Sequence, residues 1–306
     1  MLTYVLRRVL VGLLVVLGVT MVAFALTNVA GDPAVLMLPP AASAADIAEL
    51  RQRLGLDDPI VVRYLRFLAD ALRGDFGRSL QHGQPAMTLL LGRLPATLEL
   101  GLVSVAVAVL VSIPVGLLAA LTRGSAIDMA CLAFAVAGQA MPNFWLAILL
   151  INLFAVHLGW LPTSGRTQGA LSLVLPVIAI AVYLMATQIR LVRGTFLDVI
   201  GQDYIRTAHA KGLRRATVVL KHGLRNALVP VVTIIGIQLG HVLGQAVVIE
   251  TVFQWPGLGL FTIQAITNRD FPVVQAAVTL MAVFVVTINL AVDIAYGYLD
   301  PTIRTE

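Results

Sequence analysis

The sequence is short of cysteine and of charge. Its 306 residues include one cysteine, Cys131, and only 12% of them are charged. A single cysteine excludes an internal disulfide and any site built from several thiolates. The mean hydropathy of +0.92 leaves too little polar surface for a soluble domain of this length. These shortages place the chain among membrane proteins.

The signatures of several enzyme classes are missing as well. Neither Gly-x-x-x-x-Gly-Lys-Ser/Thr, Gly-x-Ser-x-Gly nor His-Glu-x-x-His occurs, which argues against a phosphate-binding loop, a serine hydrolase and a zinc protease. The basic residues are not interleaved with aromatic residues as they are in a nucleic-acid groove. The sequence therefore predicts no catalytic residue, no metal site and no nucleic-acid partner.

Long apolar runs make up most of the chain. A membrane-spanning helix needs about 20 apolar residues, and six segments qualify: 9–29, 97–121, 129–156, 171–189, 228–249 and 274–298. The first exceeds the apolar core of a signal peptide, so residues 1–29 are interpreted as an uncleaved N-terminal span. Pro142 predicts a bend in the third segment, with Asn143 bonding the carbonyl that the proline frees. The runs predict an all-α polytopic membrane protein with six transmembrane helices.

The basic residues are unevenly distributed around these spans. Eight lie within residues 190–225, whereas the short loops on the other side hold only Arg166 and Arg269. Because Lys and Arg concentrate in cytoplasmic loops, both termini, the loop 190–227 and the tail 299–306 are predicted to be cytoplasmic. The five remaining helices then form a core over residues 94–298.

Residues 30–93 are predicted to form a small extracytoplasmic subdomain. Its seven arginines are balanced by seven acidic residues, so it can cross the membrane despite its positive charges. Helical periodicity appears over 47–54, with Asp46 as the cap and Gly55 as the stop, and over 61–72, with Tyr64, Leu65 and Leu68 on one face.

The cytoplasmic loop contains one short helical stretch. Tyr204, Ala208 and Gly212 are spaced by four residues and share a face if the stretch is helical. The basic residues around that face are Arg206, Lys211, Arg214 and Arg215. Three interpretations are open: docking into a groove on a soluble partner, binding to anionic lipid, and anchoring of the topology.

Polar residues inside the spans are candidates for a translocation path, since such residues usually face a bundle interior or a cavity. The candidates are Gln139, Asn143, Gln188, Gln238, His241 and Gln245. Hydrogen bonds between helices are the alternative for each. Glu99 is interpreted as a first-turn residue that complements the helix dipole, and Glu250 as a marker of the membrane interface.

The stretch Trp255, Pro256 and Gly257 lies in an outer loop. It is a candidate outer gate or contact with a binding protein, and an interfacial tryptophan anchor is the alternative.

Several stretches together resemble the permeases of ATP-binding-cassette (ABC) importers, in the dipeptide, oligopeptide and nickel branch. The main one is D-Y-I-R-T-A-H-A-K-G-L at 203–213, followed by H-G-L-R-N-A-L-V-P at 222–230. In chain order the others are L-R-R at 6–8, G-D-P at 31–33, L-G-L-D-D-P at 54–59, G-D-F-G-R-S at 74–79, L-P-A-T-L-E-L at 94–100, M-P-N-F-W-L at 141–146, W-P-G-L-G at 255–259, R-D-F-P-V-V-Q at 269–275 and L-D-P-T-I-R at 299–304. The resemblance covers essentially the whole chain.

The resemblance implies a type I importer permease in a bacterial inner membrane. It implies a second homologous permease, two cytoplasmic ATPases that bind ATP and magnesium, and an external substrate-binding protein, with no cofactor in this chain. The coupling residues would be Tyr204, Arg206, Ala208, Ala210, Lys211, Gly212 and Arg214. Arg206 stands near a position where many importers have glutamate, so a specific ion pair with the ATPase is not carried over.

The resemblance leaves the cargo open. Di- and oligopeptides are the leading expectation, and nickel, a metal chelate or a glutathione-like compound is the alternative within the family. From another class, the alternative is a stand-alone secondary transporter, which would need acidic residues within its spans, and none is expected in mid-span.

Overall fold

The computed structural model describes residues 2–29, 34–35, 38, 43–53 and 55–299. The motif at 31–33, Leu54 and nearly all of the predicted tail lie outside the described residues. Within them the chain is helical, and its β-type pairing is an isolated bridge between Arg78 and Pro85. The helices are α1 (Leu2–Val29), α2 (Ala44–Arg53), α3 (Ile60–Leu72), α4 (Ala86–Leu121), α5 (Ala126–Ala140), α6 (Asn143–Leu150), α7 (Leu171–Ile200), α8 (Asp203–Ala210), α9 (Arg215–Thr217), α10 (Arg225–Phe253), α11 (Leu258–Thr267) and α12 (Phe271–Leu299). Two π-helical segments, π1 (Ile151–His157) and π2 (Val218–Leu224), follow α6 and α9.

Five helices of the described chain are long and apolar enough to cross a membrane, and a sixth span exists only if one bent pair is counted. The pair is Ala126–Ala140 with Asn143–His157, and its halves meet at 105°. The bend predicted at Pro142 in the segment 129–156 is therefore confirmed, and the segment counts as the sixth span only if the two halves are taken together. Pro142 has no N–H for a continuing helix, and Met141 and Pro142 both adopt extended backbone angles. The side chain of Asn143 forms no hydrogen bond with the described residues, so its predicted bond to a freed carbonyl is wrong.

One compact unit contains residues 1–96 and 256–290. Its core includes Phe76, Leu90, Phe261 and Val273, which are all buried. The described part of residues 30–93 belongs to this unit rather than forming one of its own. Ring contacts support that grouping, since Tyr64 of α3 lies 5.5 Å from Phe24 of α1 between ring centroids.

The cap of α2 differs from the prediction. Ser43, rather than Asp46, precedes the helix, and its Oγ accepts the Asp46 N–H at 3.2 Å. The Asp46 carboxylate in turn accepts the Ser43 N–H at 3.0 Å, which is a reciprocal capping box. The hydrogen bonds from the Ser43 side chain and backbone lower the pKa of the Asp46 carboxyl. Leu65, predicted to share a face of α3 with Tyr64 and Leu68, is 59% exposed.

A second unit contains residues 97–255 and 291–301, and α7 is its central helix. In the most apolar stretch of α7, 67% of the residues are buried. Leu184, Ile189 and Phe196 are among the buried residues of this helix. Gly116 of α4 allows a close approach, because a Cβ there would lie 2.8 Å from the Ile189 carbonyl oxygen. Asp128 at the start of α5 accepts two hydrogen bonds from the Arg193 guanidinium, at 2.7 and 2.8 Å. These contacts fix α4 and α5 against α7.

Both glutamates of the second unit have roles that differ from the prediction. Because α4 begins at Ala86, Glu99 lies well inside it and cannot complement the helix start; it pairs with Arg166 instead. Glu250 is fully buried and accepts a 2.6 Å hydrogen bond from Thr97. Neither carboxylate is in mid-span: Glu99 lies at the start of the apolar run 97–121, and Glu250 lies three residues before the end of α10.

Candidate translocation cavity and coupling loop

A cavity of about 550 Å³ lies within the second unit. It is bounded by the start of α6, by α7 and by α10. Its α10 residues recur every three or four positions, which places them on one face of the helix: Ile234, Ile237, Gln238, His241, Gly244, Gln245 and Val248. The cavity therefore extends along four turns of α10.

The polar part of the cavity lining carries no carboxylate, ammonium or guanidinium group. Its polar members are Asn143, Tyr183, Thr187, Gln238, His241 and Gln245. The structure thus brings together four of the six predicted path residues: Asn143, Gln238, His241 and Gln245. Tyr183 was not predicted, because its ring counts as apolar. Its hydroxyl, four residues before Thr187 and therefore on the same face of α7, could have indicated that it lines the cavity.

The other two predicted path residues lie elsewhere. Gln139 is exposed and does not line the cavity. Gln188 is fully buried behind the lining, where it accepts a hydrogen bond from Ser112 at 2.5 Å and donates one to Gln238 at 2.6 Å. Gln238 donates onward to the Leu184 carbonyl at 3.3 Å. For Gln188 the structural alternative, an interhelical hydrogen bond, is correct.

Gln245 is different from its neighbours. Its Oε1 is the one buried side-chain nitrogen or oxygen of the described residues that has no hydrogen-bond partner. Leaving a buried acceptor unpaired costs about 1–3 kcal/mol, and such atoms in folded proteins usually have an identifiable reason. The residue also lines the cavity, so this unpaired acceptor lies beside the cavity.

The loop 190–227, which is predicted to be cytoplasmic and to bind a partner, folds partly on itself. Ile205 and Ala208 of α8 are buried with Val218 of π2. The Asn226 amide donates a 3.0 Å hydrogen bond to the Tyr204 hydroxyl, which ties α8 to the start of α10. Sequence reasoning missed Asn226, because its partner is 22 residues away and no local pattern connects them.

The shared face predicted for Tyr204, Ala208 and Gly212 is wrong. The helix ends at Ala210, and Gly212 follows it with a φ of 74°, outside the helix. Ala208 packs inside the loop rather than outward. The outward face instead exposes Tyr204, Arg206, Ala210, Lys211, Gly212, Leu213, Arg214 and Arg215. It combines several cations with the apolar side chain of Leu213, which is 39% exposed.

The outer stretch is also placed differently from the prediction. Trp255 has no exposed surface, and the Arg166 guanidinium lies 5.5 Å from its ring centroid. A membrane anchor or a contact with a binding protein needs an exposed side chain, so neither role fits Trp255. Gly257 is buried as well, and Pro256 is half-buried.

No group of three or more His, Cys, Asp or Glu side chains in the described part of the chain is arranged to hold a metal ion.

Comparisons with known proteins cover nearly the whole chain. Residues 112–305 match the family described as binding-protein-dependent transport system inner membrane component. Residues 1–101 match the N-terminal membrane component of the same transport systems.

Characterised relatives align over nearly their full length. The chain is 42% identical to the oligopeptide transport system permease protein AppB of Bacillus subtilis, over 99% of this chain and 100% of that protein. It is 41% identical to the glutathione transport system permease protein GsiC of Salmonella typhi, over 99% of each. It is 38% identical to the dipeptide transport system permease protein DppB of Escherichia coli, again over 99% of each.

Solved structures show the same fold at lower identity. The chain resembles the MetNI methionine ABC transporter in an inward-facing form, with a TM-score of 0.55 and 23% identity over 70% of this chain and 97% of that one. An amino acid ABC transporter solved with histidines gives a TM-score of 0.51 at 18% identity, over 68% of this chain and 92% of that one.

These matches extend over both units and include the cavity-lining helices and the loop 190–227. The chain belongs to the inner-membrane components of binding-protein-dependent transport systems: it is a multi-pass permease subunit of an ABC importer, a transport component rather than a catalyst.

Proposed function

We propose that the chain forms part of the path by which short peptides, delivered by an external binding protein, enter the cytoplasm. The observation that carries the proposal is the cavity along α10, whose polar lining is built from amide, hydroxyl and imidazole groups. The names of the aligned relatives, which refer to oligopeptides, dipeptides and glutathione, favour the same cargo class.

A lining of this kind suits the peptide backbone. Each peptide unit offers one N–H donor and one C=O acceptor, and amide and hydroxyl side chains provide both complements. Such groups exchange hydrogen bonds with a passing backbone whatever its side chains are. The unpaired Oε1 of Gln245 accepts from a backbone N–H or an N-terminal ammonium.

A nickel or metal-chelate cargo remains the competing proposal within the family. His241 in the cavity is the observation that favours it, since imidazole is a common ligand for nickel. A stand-alone secondary transporter is not proposed, because the chain belongs to a multi-subunit transport family.

We also propose that the outward face of the loop docks onto a cytoplasmic ATPase, and that two such ATPases bind and hydrolyse ATP for this permease and a homologous partner permease. The packing of Ile205 and Ala208 against Val218 gives the face a fixed shape. Exposed Arg206, Lys211 and Arg214 provide positive charge for an acidic groove, and positive-inside anchoring by the same residues is compatible with docking.

The cargo is tested by reconstituting the permease with its partner permease, ATPases and binding protein in liposomes. Uptake of a labelled dipeptide, glutathione, a pentapeptide and Ni²⁺ is measured with and without ATP. We expect ATP-dependent uptake of at least one peptide, and no accumulation when the chain is reconstituted alone. Uptake of Ni²⁺ without uptake of any peptide would contradict the peptide proposal and support a nickel or metal-chelate cargo.

Docking is tested with Ala210→Trp, which enlarges an exposed position of the loop. The bulky side chain blocks a close-fitting groove, so ATPase co-purification and ATP-driven uptake are expected to fall strongly while membrane insertion is unchanged. Ala170→Trp, at an exposed alanine before α7, is the matched control and should retain both. If Ala210→Trp retains ATPase co-purification and ATP-driven uptake as fully as Ala170→Trp does, the docking proposal is contradicted.

A further inference from the structure

The first unit contains an apolar groove that the transport function does not use. Its volume is about 600 Å³, and it is formed by α1 together with the end of α11 and the start of α12. The α1 side includes Gly18, Val22 and Leu26, and the α12 side includes Val274 and Val278. Val22 and Leu26 are 59% and 63% exposed. The long sides of the groove therefore present hydrocarbon.

One end of the groove is polar. Arg269 lines it, together with Thr27 of α1. The Thr27 hydroxyl accepts a 2.6 Å hydrogen bond from Gln275, which fixes its position. Arg269 is exposed and forms no ion pair or hydrogen bond through its side chain with the described residues.

The neighbouring carboxylate forms no ion pair or hydrogen bond with the Arg269 side chain. Asp270 is 2% exposed, and its two oxygens accept hydrogen bonds from the Ser79 hydroxyl at 2.5 Å and the Leu80 N–H at 3.1 Å. The Asp270 oxygens are therefore engaged by Ser79 and Leu80, and the Arg269 guanidinium has no direct partner among the described residues.

The backbone at Arg269 is unusual. Its φ of 55° places an arginine in the left-handed region just after α11, a position at helix ends where glycine is the usual residue. Strained non-glycine residues of this kind persist where the surroundings determine them and often lie at ligand-binding sites. Glycine would adopt this backbone conformation at a lower cost, so the presence of arginine indicates that its side chain has a role here.

We propose that this groove binds one anionic phospholipid, with an acyl chain along α1 and α12 and its phosphate headgroup on Arg269. Charge complementarity favours this occupant. The groove is apolar along its length and has the unpaired cation Arg269 at one end, which matches a molecule with a hydrocarbon tail and a negatively charged headgroup. Arginine pairs well with phosphate because its planar guanidinium donates two parallel hydrogen bonds. The Thr27 hydroxyl lies at the same polar end.

The test uses the complete purified importer after delipidation. Binding of phosphatidylglycerol and of phosphatidylcholine with the same acyl chains is titrated by native mass spectrometry. One lipid-facing arginine favours the anionic lipid by about fivefold. We expect that preference in the native complex, its loss in Arg269→Gln and its retention in Arg269→Lys.

Two further variants separate the groove from general charge. Gly18→Leu places a side chain in open space within the groove, so binding of both lipids at this site should fall without loss of folding. Arg73→Gln removes a charge from an exposed arginine outside the groove and should behave as the native complex does.

The proposal is overturned if Arg269→Gln keeps the preference or if Gly18→Leu leaves binding unchanged. It is equally overturned if a photoactivatable residue at Val22 captures a helix of the second permease instead of lipid, because the groove would then be a subunit interface.

Discussion

Gln188 and Gln245 carry the same side chain in opposite surroundings. The amide of Gln188 joins Ser112 to Gln238 in a buried chain of hydrogen bonds. The Oε1 of Gln245 is buried without a partner and borders the cavity. In the first case the amide holds helices together, and in the second it has a binding capacity that the fold leaves unused.

Replacing each glutamine by leucine should therefore have opposite effects. Gln188→Leu leaves the Gln238 side-chain carbonyl without its donor and leaves the Ser112 hydroxyl only the 3.4 Å bond to the Val109 carbonyl, so it should lower the free energy of unfolding by about 1–3 kcal/mol. Gln245→Leu removes an atom that is already unpaired, so stability should be unchanged or higher. If Gln245 binds the passing peptide, its loss should reduce uptake about fivefold, the effect of one hydrogen bond.

The two effects are measured on the same samples, by denaturant unfolding of the purified complex and by peptide uptake in liposomes. A Gln245→Leu variant that transports normally would remove Gln245 from the path. A Gln188→Leu variant as stable as the native protein would mean that the hydrogen-bonded chain contributes nothing.

At this scale the sequence identifies residues better than it identifies their partners. Polar residues inside apolar runs are conspicuous, and four of six predicted path residues line the cavity. Their partners are not conspicuous, since Glu250 bonds to Thr97, which is 153 positions away. Trp255 was misplaced for the same reason: its burial depends on long-range packing, whereas the sequence shows only a tryptophan beside a loop.

Single elements show where packing overrides local pattern. Helix α4 has 36 residues, or roughly 54 Å at 1.5 Å per residue, against a hydrocarbon core of about 30 Å. Its apolar run predicted a start near residue 97, but the helix begins at Ala86. Residues 86–94 continue it because Ala86 and Leu90 pack into the core of the first unit. An apolar run gives the length needed to cross a membrane, and tertiary contacts decide where the helix begins.

Two glycines of α4 provide an internal comparison. A Cβ at Gly116 would lie 2.7 Å from the Val192 Cβ and 2.8 Å from the Ile189 carbonyl oxygen, whereas nothing lies within 4 Å of a Cβ at Gly92. Gly116→Ala should therefore force α4 away from α7 and destabilise the protein by about 1–3 kcal/mol. Gly92→Ala should be neutral or stabilise by up to about 1 kcal/mol, through helix propensity.

Thermal unfolding of the two variants tests this comparison. Equal midpoints would show that the approach of α4 to α7 relaxes easily around an added methyl group.

For the whole molecule, the spans could be predicted and their orientation rests on charge alone. Five spans follow from apolar length, because a chain in lipid must pair its backbone groups within each helix. The angle between α5 and α6 could not be predicted, since a proline signals a break but not its 105° size. The side of the membrane on which each loop lies is inferred from the basic residues of 190–225.

Orientation is tested in a Cys131→Ala background, which is free of cysteine because Cys131 is the only one. Gln81→Cys and Lys211→Cys each place one thiol at an exposed position. A membrane-impermeant maleimide should label residue 81 in spheroplasts and residue 211 only in inverted vesicles. The reverse pattern would place the loop outside the cell and rule out an ATPase partner there.

The helical stretch from Arg215 to Phe253, comprising α9, π2 and α10, spans 39 residues and acts as a rod roughly 58 Å long. Its N-terminal end adjoins the exposed loop, and one face of α10 lines the cavity. A turn of about 5° around its middle sweeps either tip by roughly 2.5 Å. If a docked ATPase turned this stretch, the α10 lining residues would move with it, and the hydrogen bonds that join Gln238 to Gln188 and to the Leu184 carbonyl of α7 would have to shift.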